Sequence, residues 1–167
     1  MKKILLAVCL SVGIMYSCSD KCKDVSCLNG GTCDEGKCKC VQGYEGERCA
    51  TASRDRFIGT WSGEYTIKVT AEGETSPFEQ TFPDSVIFKA GKGATLEMVG
   101  YESTNLIPSG NSLQMTITYA GTFFQLNVSD VNMTVNGKIL SYKDAKVSGK
   151  MDGKNISGTV VGIYTKK

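Results

Sequence analysis

The sequence predicts a mainly β protein in two parts: a small disulfide-rich module, then an antiparallel up-and-down β-barrel of about eight strands. Three observations carry that expectation. Six cysteines fall within residues 22–49, CKDVSCLNGGTCDEGKCKCVQGYEGERC, with almost nothing apolar between them. Such a stretch cannot be held by a hydrophobic core and has to be stapled covalently. From Thr60 onward apolar residues recur with period two, which marks half-buried antiparallel strands. No segment between Arg56 and Lys167 keeps a helical period.

At 167 residues the chain has room for one ordinary domain plus a small module. The expected division is a leader at 1–17, a tether at 18–21, the cysteine module at 22–49, a linker at 50–56 and the barrel at 57–167. Lys2 and Lys3 are the only charges before Cys18, so from Cys18 onward 17 basic side chains face 17 acidic ones. That balance gives no electrostatic reason to expect nucleic acid or an anionic surface as partner. The chain has no histidine, which removes the commonest general base, pH switch and metal ligand together.

The leader places two lysines before an apolar run at residues 4–16, the charge-then-apolar order of an export signal. Thirteen residues are too few for a membrane-spanning helix, which takes roughly 20. Met15 is a poor fit to a signal peptidase that wants small residues at the last and third-last positions. Small Ser17 followed by Cys18 resembles a bacterial lipobox, with Cys18 as first mature residue. That resemblance implies diacylation of its sulfur and acylation of its amine. Met15 and Tyr16 replace the usual leucine and small residue, and loose lipoboxes of this kind resemble those of Bacteroidota. The expectation is an outer-membrane lipoprotein of the cell envelope. In that phylum surface export follows an acidic cluster after the cysteine; here Asp20 stands alone, so the periplasmic and surface faces both stay open. Of eight cysteines, Cys9 lies in the leader and six in the module, which leaves Cys18 odd. Lipidation accounts for it; a free or intermolecularly paired thiol is the alternative. Each buried acyl methylene adds about 0.8 kcal/mol to anchoring.

Six cysteines allow 15 pairings, and spacing alone does not choose among them. CLNGGTC, the close pair Cys38 and Cys40, and GYEGERC together resemble an EGF-like module over residues 22–49. The resemblance implies Cys22 with Cys33, Cys27 with Cys38, and Cys40 with Cys49. Asn29-Gly30-Gly31 and the glycines flanking Tyr44 suit turns that need positive φ. A zinc site would call for CxxC pairs, and none occurs. Many EGF-like modules hold calcium with acidic residues before the first cysteine; Ser19-Asp20-Lys21 offers one carboxylate, so no metal and no cofactor is expected. A stiff spacer above the membrane and a protein-docking module are both open readings of this stretch.

After the linker, with Arg54 and Arg56, the alternation begins. Trp61, Gly63, Tyr65, Ile67 and Val69 share one face of a strand, and Ser62, Glu64, Thr66 and Lys68 the other. Further strands are expected at 80–89, 94–101, 112–119, 122–128, 131–135, 138–147 and 155–165. Asn136-Gly137 and Asp152-Gly153 mark hairpins with type I′ turns. Closure into a barrel would remove exposed edges, and a sandwich is the alternative. At the head of this domain, Phe57-Ile58-Gly59-Thr60-Trp61 resembles the Gly-x-Trp signature that opens the first strand of lipocalins and related calycins. By that resemblance Gly59 marks where the strand begins and Trp61 plugs the closed end. Members of that family often stack an arginine from the last strand over this tryptophan, and here no arginine follows Arg56.

Phe123, Phe124, Leu126, Met115, Met133, Met98 and Tyr119 are candidates to line an apolar pocket in the barrel mouth, or equally to fill a core. Glu64, Glu79, Asp84, Glu97, Glu102 and Asp130 are the carboxylates a glycosidase-like pair could draw on, but nothing in their spacing predicts convergence. Asp84-Ser85-Val86 is similar to the O-glycosylation motif of Bacteroidota envelope proteins, which makes Ser85 a candidate. No residue set carries a recognisable reaction. The functional expectation is therefore a non-enzymatic, membrane-anchored binding protein, its barrel holding a small apolar or amphipathic ligand on an EGF-like stalk. The alternative is a solid barrel whose module docks to an envelope or host protein.

Overall fold

The computed structural model describes residues 21–100, 106–120 and 124–167. The leader, Cys18, Glu102 and Phe123 lie outside the described residues, as do the side chains of Tyr119 and Phe124.

The cysteine module is built from two short hairpins. Strands β1 (Thr32–Asp34) and β2 (Lys37–Lys39) pair with Cys33 opposite Cys38. Disulfides join Cys22 to Cys33, Cys27 to Cys38 and Cys40 to Cys49, with Cα separations of 5.8, 5.6 and 5.3 Å. Strand β3 (Tyr44–Glu45) pairs with β4 (Thr51–Ala52). Residues 50–56, expected as a linker, are thus folded: β4 completes a hairpin and a 3-10 turn follows at Ser53–Arg56. The reason is that its polar groups find partners at the joint. Ser53 is buried, its amide donates to Gly43 O at 2.9 Å, and its hydroxyl accepts from the Gly110 amide at 3.2 Å. Arg54 Nη1 donates to the carbonyls of Gly91 and Thr95, and Arg56 pairs with Glu45 of the module.

The rest of the chain forms a seven-stranded antiparallel sheet. Its strands are β5 (Gly59–Ala71), β6 (Phe78–Ala90), β7 (Leu96–Met98), β8 (Ser112–Ala120), β9 (Phe124–Asn136), β10 (Ile139–Met151) and β11 (Lys154–Lys166). Their spatial order is β7-β6-β5-β11-β10-β9-β8, so the first and last strands pair at the centre and the edges are β7 and β8. Of the expected barrel of about eight strands, the described residues show a seven-stranded antiparallel half-barrel sheet. No ladder joins β7 to β8 among the described residues. Strand β7 stops after three residues, Gly100 turns the chain with φ 88°, and on the far side of β7 an isolated bridge joins Leu96 to Leu106.

Segments 122–128 and 131–135, expected as separate strands, are one strand with a bulge. Met115 faces Val131 but Ile117 faces Val128, so Thr116 opposes both Ser129 and Asp130. The extra residue moves the inward positions from Leu126 and Val128 to Val131, Met133 and Val135, which is why the alternation looks broken in the sequence. A second bulge lies alongside in β10, where Lys143 and Asp144 oppose Val161, and the inward set shifts from Leu140 and Tyr142 to Ala145 and Val147. Both bulges place an aspartate at positive φ, 55° at Asp130 and 53° at Asp144. Two adjacent bulges sharpen the twist and curl the sheet round its inner face.

The Asp152-Gly153 hairpin has both loop residues at positive φ, 49° and 80°, as a type I′ turn requires. In the other hairpin Asn136 pairs with Ile139, so the loop residues are Gly137 and Lys138, with the positive φ on the glycine. That glycine-first arrangement suits a type II′ turn and replaces the type I′ turn expected there.

Large aromatic and aliphatic side chains close the end of the sheet nearest the cysteine module. Trp61, Phe57, Phe88, Leu96, Leu113, Met133 and Leu140 are fully buried there, with Phe57 edge-on to Phe88 at 6.3 Å.

Candidate ligand cavity

Above that packed floor the curled sheet lines a partly open cavity of about 310 Å³, at the lower end of the range of small-molecule sites. Its apolar wall comes from Ile67 on β5, Val86 on β6, Met98 on β7, Ile117 on β8, and Leu126, Val128, Val131 and Met133 on β9, with Val147 and Val160. The opposite character comes from Tyr65, Tyr142, Tyr164 and Asp84.

These four polar residues are set by two cross-strand rows in which glycines separate large side chains. In one row Tyr164 faces Gly63, which faces Asp84. Gly63 has no side chain to block the way, so the Tyr164 hydroxyl reaches across it and donates to Asp84 Oδ2 at 2.9 Å. In the next row Tyr142 faces Gly162, which faces Tyr65, which faces Phe82. Here the Tyr142 ring lies over Gly162: a Cβ on that glycine would fall 2.5 Å from Tyr142 Cε1. Tyr142 stacks on Tyr164 at 6.3 Å and Tyr65 packs on Phe82 at 5.4 Å. Burial pushes the Tyr164 hydroxyl far above the usual phenol range, with Tyr142 and then the Asp84 carboxylate pushing the same way. Tyr164 therefore stays protonated and acts as a donor.

Of the pocket candidates from the sequence, Met98, Leu126 and Met133 line the cavity, and Met115 is buried core outside it. Phe123 and the side chains of Phe124 and Tyr119 are outside the described residues. Among the described residues the candidate carboxylates do not converge. Asp84 alone reaches the cavity, Glu79 pairs with Lys68 at 3.0 Å and Asp130 with Lys146 at 2.8 Å on the outer surface, and Glu64 and Glu97 are exposed. Tyr65, Asp84, Tyr142 and Tyr164 were not singled out together as pocket residues by the sequence. The signal for Asp84 was its parity: Phe82, Asp84, Val86 and Phe88 alternate on one face of β6.

Gly59 opens β5 at φ 133°, and Trp61 is fully buried two residues on, its indole Nε1 donating to Phe57 O at 2.7 Å. Ser85 is exposed on the outer face opposite Ser62, and their hydroxyls are 3.4 Å apart. Among the described residues no group of three or more metal-ligating side chains assembles, and no helix is long and apolar enough to cross a membrane.

Fold and site define a class: a disulfide-stapled module packed against an antiparallel half-barrel whose inner face carries a partly open, mostly apolar cavity. No family model, curated protein or solved structure matches this chain.

Proposed function

We propose that this is a lipid-anchored protein of the bacterial cell envelope that binds a small apolar or amphipathic molecule without transforming it. The binding compartment is a lipocalin-like half-barrel carried on an EGF-like stalk, and Cys18 is the acylated residue. The observation that carries the reading is the cavity of about 310 Å³, walled by aliphatic and methionine side chains from all seven strands of the sheet. Burial of a ligand's apolar surface there would contribute about 25 cal/mol per Å². The EGF-like assignment is supported by the three bridges in the order that family uses. A glycan on Ser85 would project from the outer face, away from the cavity.

The test is a native mass measurement on the full chain with Cys18→Ala, made in an oxidising periplasm. The expected result is a protein in the soluble fraction that carries an extra mass, lost on denaturation. A bare protein mass, with no binding of neutral apolar probes, would overturn the carrier reading. Retention of Cys18→Ala in the membrane fraction would overturn the lipoprotein reading separately.

A further inference from the structure

We propose that the cavity selects an amphiphilic cation: an ammonium group held against Asp84 and the tyrosine rings, with its apolar tail along the β8–β9 wall. This rests on the carrier reading above and specifies the ligand's chemistry.

Asp84 is the one charged side chain among the described residues lining the cavity. Its partners are the Tyr164 hydroxyl at 2.9 Å on Oδ2 and the Ser85 amide at 2.8 Å on Oδ1. A carboxylate offers about four acceptor sites, so two remain for a further donor. Among the described residues no lysine or arginine makes an ion pair with it. Half-buried and without a counter-ion, it is a charge that a ligand cation would neutralise.

Three tyrosine rings line the same cavity, Tyr65, Tyr142 and Tyr164. Ring faces attract ammonium groups within about 6 Å of the centroid, more strongly where water is excluded. A ligand carboxylate would meet Asp84 as a like charge and find no basic side chain to offset it. The remaining wall, with Ile117, Leu126, Val128 and Met133, offers only apolar contact. The cavity is therefore built against fatty acids and for amines of similar size.

The experiment is calorimetric titration of the full Cys18→Ala chain, freed of bound material, with n-octylammonium, n-octanol and n-octanoate. Octylammonium is expected to bind about tenfold more tightly than octanol, with octanoate weakest. Asp84→Asn keeps an acceptor for Tyr164 and should bring octylammonium down to the octanol level. Octanol binding with no preference for octylammonium, or octanoate matching it, would overturn the inference and leave the carrier reading standing. Failure of both octanol and octylammonium to bind would overturn the two together. The wild-type comparison among the three probes decides the matter even if Asp84→Asn does not fold.

Discussion

Lys166 Nζ lies 5.2 Å from the centre of the Trp61 ring, and the two residues face one another on the paired strands β11 and β5. The first and last strands of the half-barrel are thus clamped at its floor by an ammonium over an indole. Lys166 Nζ is also 3.5 Å from Arg56 O, which ties the chain end to the joint with the cysteine module.

Lys166→Met should keep the aliphatic cover on Trp61 but lose the cation, lowering stability by about 1 kcal/mol. Trp61→Ala should cost about 3 to 5 kcal/mol, because it empties the packed floor. Urea unfolding measures both. Trp61 is the single tryptophan, so its fluorescence reports the Lys166 variant directly. An unchanged midpoint in Lys166→Met would show that the cation contributes nothing.

The bulge in β10 holds Asp144 at φ 53°. A β-branched residue there meets its Cβ against the following carbonyl, so Asp144→Val should destabilise by about 1 to 2 kcal/mol. Asp144→Gly accepts that φ and should be close to neutral. Equal losses in the two variants, seen in denaturant midpoints, would place the effect in the aspartate side chain and not in the backbone.

At Gly63 a Cβ would fall 2.0 Å from Ile163 O and 2.6 Å from Tyr164 Cα. Both are backbone atoms of the paired strand, so Gly63→Ala must push β5 and β11 apart. We expect a loss of roughly 3 kcal/mol or more, as for severe overpacking, together with rupture of the Tyr164–Asp84 hydrogen bond. At Gly162 the atoms nearest an added Cβ all belong to the Tyr142 side chain, which can turn. Gly162→Ala should fold and instead lose ligand affinity as the ring swings; probe titration distinguishes the two cases.

Because burial raises the Tyr164 hydroxyl above its unfolded value, linkage has a definite sign. Its contribution is complete below about pH 10, where the unfolded chain keeps its proton, and declines as pH rises toward the folded-state value. Wild type should therefore lose stability above about pH 10 more steeply than Tyr164→Phe. Parallel slopes of midpoint against pH would contradict the buried, protonated assignment.

Mild reduction should expose residues 22–49 to protease, since each bridge closes a loop worth about 2 to 3 kcal/mol. The sheet should remain folded but melt at lower temperature, because the Ser53–Gly43 hydrogen bond and the Arg56–Glu45 pair are lost with the module. An unaltered sheet melting temperature after reduction would mean that the joint contributes nothing to it.

Period-two alternation was enough to place β5, β6, β8, β10 and β11, because a half-buried strand writes its inner face directly into its residue types. Asp152-Gly153 likewise carried its turn, since both positions must accept positive φ. The single long β9 was not legible. A bulge reverses parity at Ser129 and Asp130, and a local reading of alternation sees two strands where one continues. The half-barrel seam was hidden too, because whether β7 and β8 meet depends on how far the whole sheet curls. The cavity's polar end belongs wholly to tertiary structure. Tyr164 and Asp84 are 80 residues apart, and only the register of three strands sets a glycine between them. Local chemistry determined which residues turn, alternate and cross-link. Register and curvature, which arise from all the strands together, decided which of them share a cavity.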